Sequence, residues 1–528
     1  MPPNSRYRNI LLVYPAFETT YWGMQYFLPM IGKKALMPPL GLITIAALTP
    51  PGYQFRLVDM NCQPLSEDDI NWADLVCFSA MLFQKQALFR VAKRCRDAGK
   101  LIVFGGPYPT ACPQECQAHC DVQVLNEGEI TWPAFIADLE QTGRYQSIYS
   151  SHEKPDLTGS PPPRMDLLTI ADYLMIPVQF SRGCPYLCEF CDIIVMFGRK
   201  PRTKTTEQMI AELDAIFATG YRGTVFIVDD NFIGNKRAVR NLLPQVAAWN
   251  KEKDYPFVYG TEASIDVADD RELLQQMIDA NFAWVFIGLE SPDLDSLREA
   301  HKAQNLRAPL LDSVATIQGM GLTVYGGFII GFDHDDETIF DRQIEFISKT
   351  AIPFAMISPL DALPNTPLHA RMQREGRLLP DQDGDENWLI GGYRYTNIKT
   401  VMPQKPFFEG YQKVLRSLYT PKAYFKRLTD TFSRLPACSP LHRPRNVNNR
   451  LPAHEAAMNL VRALRKLPLS YLWELFCFAW KTYKNRPDQF VRVLPYALMG
   501  VHYYRYTFEN IIPDLARIVD RLSKADEV

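Results

Sequence analysis

Six short runs of mostly apolar residues, separated by longer amphipathic stretches, occupy the sequence from Pro177 to Leu360, and few folds accommodate such an alternation. The runs are Pro177–Ser181 (PVQFS), Val225–Asp230 (VFIVDD), Phe257–Ser264 (FVYGTEAS), Trp284–Ser291 (WVFIGLES), Thr323–Phe332 (TVYGGFIIGF) and Phe354–Leu360 (FAMISPL). Strands apolar on both faces belong to parallel sheets covered by helices on each side. Stretches such as Thr205–Gly220 (TTEQMIAELDAIFATG) supply those helices. Repeated β/α units of this kind predict a partial or full (β/α) barrel, with its chemistry at the C-terminal ends of the strands. Those ends carry Asp229, Asp230, Glu262, Glu290 and Ser291.

The same alternation appears earlier, in Asn9–Pro15, Phe55–Asn61, Asp74–Ala80 and Lys100–Gly106, with a helical stretch at Gln86–Gly99. It predicts a second parallel sheet, whose ligands lie beyond the C-terminal strand ends. Pro15, Asp59, Asn61, the segment Ser79 to Gln84, and Gly105 and Gly106 stand there. No G-x-G-x-x-G follows the first strand, so a dinucleotide site is not favoured. The Pro-rich Ser160–Asp166 (SPPPRMD) reads as a linker. After about residue 400 the pattern becomes helical, basic in places and rich in aromatics. The division expected is 1–150, a linker at 151–170, 171–400 and 401–528.

Ser181–Asp192 (SRGCPYLCEFCD) places Cys184, Cys188 and Cys191 just after the first barrel strand. A closed structural zinc site needs four ligands. Either a fourth arrives from far along the chain or the site stays open. The 528-residue chain carries eleven cysteines, and its first residues pass directly into a strand pattern with no signal peptide. A reducing cytoplasm is expected, with cysteines as thiols or metal ligands rather than bridges. The net charge of −2 gives no reason to expect nucleic-acid binding. Tyr471–Trp480, the densest apolar run, is too short to span a bilayer and includes Glu474. A second trio, Cys112, Cys116 and Cys120, has helical spacing that puts the thiols on one face, and is read as buried structural thiols rather than ligands.

C-x3-C-x2-C with Phe190 before its last cysteine resembles the signature of the radical S-adenosylmethionine (SAM) superfamily. The resemblance implies a [4Fe–4S] cluster on Cys184, Cys188 and Cys191, with SAM completing the open iron. Phe226–Phe232 (FIVDDNF), with Asp229 and Asp230, resembles the segment that approaches the SAM amino group. Gly326–Glu337, with Gly327 and Gly331, loosely resembles the adenine-lining region, and Asp361–His369 the family's P-G-T-P-L segment, with Asn365 in place of Gly. Glu262 and Glu290 are then expected to contact SAM. A preceding Rossmann-like domain resembles the cobalamin-binding subgroup, with Asp59, Asn61, Ser79, Gln84, Gly105 and Gly106 near the cofactor. The cobalt-ligating His of that subgroup's D-x-H motif is replaced by Asn61.

The fold implied is α/β: a Rossmann-like cobalamin-binding domain, a partial (β/α)6 radical SAM barrel, and a helical C-terminal region. Within the subgroup the sequence is similar to the hopanoid C-2 methylase and its relatives. That similarity implies cobalamin-dependent methylation of an unactivated carbon on an apolar substrate, with hopanoid C-2 as the specific expectation. A flavodoxin- or ferredoxin-like electron donor and a cytoplasmic location follow. The basic, aromatic stretch Leu464–Lys484 suits peripheral contact at the inner membrane surface. The alternatives are a cobalamin-dependent cyclase or methylase acting on a tetrapyrrole, and a non-catalytic cobalamin or cluster sensor.

Overall fold

The computed structural model describes residues 7–379, 389–390, 393–436, 442 and 452–525. Residues Asn9–Tyr14 (β1), Gln54–Asp59 (β2), Leu75–Ser79 (β3), Leu101–Gly105 (β4), Val122–Val124 (β5) and Ile148–Tyr149 (β6) form an all-parallel sheet in the order β2-β1-β3-β4-β5-β6. The order turns back at β1, so β1 and β3 diverge at the point where open α/β sheets bind ligands. Apolar layers cover both faces, one with Leu11, Val13, Phe78 and Phe104, the other with Ile10, Leu12, Trp132 and Phe135. β5 and β6 carry no expectation from the sequence; three and two residues are too short to show a pattern.

All six expected barrel runs form strands: Met175–Val178 (β7), Gly223–Ile227 (β8), Phe257–Glu262 (β9), Phe282–Glu290 (β10), Thr323–Ile330 (β11) and Ala355–Pro359 (β12). They pair in parallel and in chain order, and β7 and β12 are the sheet's two edges. The barrel is therefore partial. The helix Thr206–Ala218 starts on a capping box between Thr205 and Gln208, which satisfies donors that a helix start leaves free.

Two expectations are corrected. The segment 151–170 is not a loose linker: Leu157, Ser160 and Met165 are buried, and the Gln208 amide donates to the carbonyls of Leu157 and Ser160. Pro161, Pro162 and Pro163 stiffen the stretch between two short 3-10 turns, Leu157–Gly159 and Met165–Leu167. Cys112, Cys116 and Cys120 do not share one helix. The helices Pro107–Ala111 and Pro113–Gln117 meet at Cys112, because Pro113 cannot continue the first one. The three thiols nonetheless lie in the core with Phe78 and Phe104, and burial pushes each up to about 12.

The C-terminal part is helical, with Gln404–Tyr419, Pro421–Arg434, Ala453–Leu464, Leu469–Asn485, Phe490–Arg505 and Ile512–Ala525. Phe407, Tyr411, Tyr424 and Tyr503 of these helices share one core with Ile287 and Phe354 of the barrel. No helix among the described residues is long and apolar enough to cross a membrane.

Candidate functional site

The cysteine loop leaves the barrel directly after β7. Ser181, expected to end the barrel strand, instead joins Arg182 in pairing antiparallel with Arg202 and Thr203 to make the loop's neck. Asp229, just past β8, fixes this neck. Its carboxylate accepts from the Phe180 and Ser181 amides, both at 2.8 Å, and from Ser181 Oγ at 2.6 Å. Asp230 accepts from the Gly183 amide at 3.0 Å. Gly183 has φ 97°, and a Cβ there would stand 2.8 Å from the Gly198 carbonyl oxygen, so the close approach of the two loop arms needs glycine.

On the loop itself Cys188 is buried, and Cys184 and Cys191 are partly buried. The Asn231 amide points at Cys184 Sγ (3.9 Å) and the Gln304 amide at Cys188 Sγ (3.5 Å). Lys302 pairs with Glu290 at 2.6 Å and lies over the Phe190 ring, adding positive charge beside Cys188 and Cys191. Glu290 takes φ 63° at a register shift of β10. Arg371 braces the far side: it grips Glu189 through Nε (2.8 Å) and Nη2 (3.0 Å), and reaches Asp333 and Glu299. Among the described residues no three side chains of His, Cys, Asp or Glu converge on a point that one ion could occupy. The three thiols on the loop fall one short of a closed zinc site, whereas a four-iron cluster can leave one iron open.

Three carboxylates end the neighbouring strands. Burial raises Asp229 to about 7, against the hydrogen bonds it accepts. Burial raises Asp230 to about 6, and Glu262 to about 8 with the charges of Asp230 and Asp229 adding to it. Asp229 is spent on holding the neck. The Glu262 carboxylate has no hydrogen-bond partner among the described residues, and Asp230 spends one oxygen on the Gly183 amide, so these two keep acceptor capacity for a cation or hydroxyl groups.

A cavity of about 490 Å³ opens between the C-terminal strand ends of both sheets. Tyr14, Ser79, Gly105 and Gly106 line it from the first sheet, Gln179 and Asp230 from the second. Gly41 also lines it, and a Cβ there would meet no atom within 4 Å. Asp59, Asn61 and Gln84 do not line it. The Asn61 amide is occupied by Asp59 and the Phe17 amide, Gln84 by the Pro15 carbonyl and the Met81 amide, and Asp59 by Tyr173. These three brace the loop after β1. Gly327 and Gly331 serve close packing: a Cβ would meet the Phe286 ring at 3.0 Å and the Phe407 ring at 2.9 Å respectively.

A buried ionic clamp on the cavity wall is not evident from the residue pattern. Arg182 binds Glu127 (2.9 Å) and Glu129 (2.7 Å), and Arg202 binds Glu127 (2.8 Å). The glutamates start the helix Gly128–Thr142 of the first domain, and the arginines form the neck of the cysteine loop. The only signal available was the Glu-Gly-Glu spacing, because acidic residues collect at helix N-termini for local reasons as well.

Residues 178–346 match the radical SAM superfamily, and residues 366–511 match a domain of unknown function (DUF4070). A methyltransferase of Synechocystis sp., itself uncharacterized, is 44% identical over 431 residues, covering 81% of this chain and 79% of that protein. The hopanoid C-2 methylase of Rhodopseudomonas palustris is 36% identical over 424 residues, covering 80% and 78%. The chain belongs to the radical SAM methyltransferases. Its fold is that of the cobalamin-dependent radical SAM enzymes: the structure of OxsB with aqua-cobalamin and SAM bound superposes with a TM-score of 0.60 at 14% identity, over 99% of this chain and 80% of that one. A radical SAM domain implies a [4Fe–4S] cluster and SAM. The residues present fit both. Three thiols on one loop leave one ligand position open, two amide donors and Lys302 surround the sulfurs, and Asp230 and Glu262 stand ready for a cationic, hydroxylated ligand.

Proposed function

We propose that this radical SAM methyltransferase holds cobalamin in the cavity between its two sheets and methylates an unactivated carbon of an apolar substrate, hopanoid C-2. The observation that carries this reading is the cavity itself, which is bounded by strand ends of both sheets and adjoins the cysteine-loop neck at Arg182 and Asp230. Its walls are mainly apolar (Pro38, Pro39, Ile45, Leu48, Met196, Phe197), and Gly41 leaves room for a broad ligand. Similarity to the R. palustris hopanoid C-2 methylase over four-fifths of the chain supports the choice of acceptor.

When bound, the cluster with SAM supplies a radical able to take hydrogen from an unactivated carbon, and cobalamin supplies the methyl group. The chain's own residues then have positional tasks. Cys184, Cys188 and Cys191 hold the cluster, with Lys302 offsetting thiolate charge. Glu262 and Asp230 orient the SAM amino group and ribose. The apolar walls keep water from reactive species. No general base is required, because the reacting C–H bond has no acidic proton. Asn61 is committed to Asp59 and the Phe17 amide and would not be available to a bound cofactor. Electrons come from a flavodoxin- or ferredoxin-like protein in the cytoplasm.

The test is expression in a hopanoid-producing host that lacks methylated hopanoids. Hopanoids heavier by one methyl group, lost in Cys188→Ala, are expected. Unchanged hopanoids from protein shown to carry both cofactors would reject the acceptor, and a methylated tetrapyrrole in the same extracts would take its place.

A further inference from the structure

The helix Leu469–Asn485 is apolar on two opposite faces. Tyr471 and Phe478 are buried on one, their ring centroids 5.4 Å (edge-on) and 5.2 Å (tilted) from that of Phe425. The other carries Leu469, Trp473, Phe476, Trp480 and Tyr483, spaced alternately four and three residues apart, which places them on one stripe. These five side chains are 84%, 65%, 59%, 58% and 61% exposed. Val491, Met458 and Val461 are further exposed apolar residues on the helices that flank it in the chain. The stripe is about 21 Å long at the usual rise per residue. A soluble monomer rarely leaves so large a contiguous apolar patch uncovered unless something binds it.

Charge indicates the occupant. Residues 453–494 contain seven Lys and Arg against three Asp and Glu, in a chain whose net charge is −2. Arg462, Arg465, Lys466, Lys481 and Lys484 are all exposed, and among the described residues none of the five makes an ion pair. Lys481 and Lys484 border the stripe directly. Two tryptophans, a phenylalanine and a tyrosine with a basic border are poorly suited to a second helix, whose seam prefers Leu, Ile and Val. They match an interfacial helix, in which aromatic rings settle at the headgroup level and cations meet anionic lipid.

We infer that this helix lies in the surface of a bilayer containing anionic phospholipid, its aromatic stripe in the acyl boundary and its basic residues on the headgroups. The inference gives a role to the part of the chain that matches a domain of unknown function. It rests on the exposed surface alone and holds whatever the methyl acceptor is.

The experiment uses the full chain without substrate. Sedimentation with vesicles of phosphatidylglycerol and phosphatidylcholine, beside vesicles of phosphatidylcholine alone, measures binding; tryptophan fluorescence reports burial. Binding to the anionic vesicles is expected, with a blue shift and loss at high salt. The Trp473→Ser/Phe476→Ser/Trp480→Ser variant should bind at least about tenfold more weakly, since each lost side chain removes buried apolar area. Lys481→Glu/Lys484→Glu should weaken binding by more than tenfold, at about fivefold for each basic residue near an anionic surface. All these side chains point to solvent, so the circular dichroism of both variants should be unchanged. Failure of the wild-type chain to bind anionic vesicles at low salt, or equal binding by the triple variant, would overturn the inference. So would self-association of the wild type without lipid that the triple variant abolishes, which would assign the stripe to a second copy of the chain.

Discussion

His502 sits in the helix Phe490–Arg505, fully buried where the segment after β1 crosses the C-terminal helices. Its Nδ1 accepts from the Tyr26 amide at 3.3 Å, and its Nε2 lies 2.9 Å from the Thr20 carbonyl, so the proton is on Nε2. Tyr21 and Tyr26 add hydroxyl contacts to Thr507 and Asn510. Burial pushes the imidazole down to about 4. A folded value below the unfolded one, about 6.5, means the unfolded chain binds the extra proton as pH falls. The contribution of this latch is therefore full above pH about 6.5 and is lost as pH falls through about 4, a change of about 3 kcal/mol. His502→Gln keeps one acceptor and one donor but cannot titrate. Denaturant unfolding of both proteins at a series of pH values should show the wild type losing stability relative to the variant across that window. Parallel curves would remove His502 from the account.

At the scale of elements, the junction between the first sheet and the cysteine-loop neck depends on Arg182 with Glu127 and Glu129. Removing one partner of a buried ion pair leaves an uncompensated charge, at a cost of about 3–5 kcal/mol. Arg182→Ala should therefore lower stability by that amount in chemical denaturation and separate unfolding of the two sheets into two transitions. A single transition with an unchanged midpoint would show that the apolar contacts alone dock the domains. This clamp also marks where sequence reading ends. The six barrel strands were legible because their residues are apolar on both faces, a property of each run by itself. The clamp joins residues more than fifty positions apart, and none of them looks unusual among its neighbours. Asp59 and Asn61 were legible as strand-end polar groups, but only the loop after β1 shows that they bind each other and that loop. The spacing of Cys112, Cys116 and Cys120 suggested one helical face, and Pro113 broke it.

For the whole molecule, two parallel sheets present their C-terminal strand ends to one cavity, and the loop bearing Cys184, Cys188 and Cys191 springs from its rim. Eight of the eleven cysteines lie outside that loop, and Cys112, Cys116 and Cys120 are packed as core side chains with Phe78 and Phe104. All cluster iron is therefore expected on the loop trio. The most direct test is the iron content after anaerobic reconstitution of three proteins: the wild type, the Cys184→Ala/Cys188→Ala/Cys191→Ala variant and the Cys112→Ala/Cys116→Ala/Cys120→Ala variant. About four irons per chain are expected in the first, none in the second, and about four again in whatever fraction of the third is folded, as for a single four-iron cluster. Iron retained by the loop variant, or a higher wild-type total that falls by half in the core variant, would contradict it.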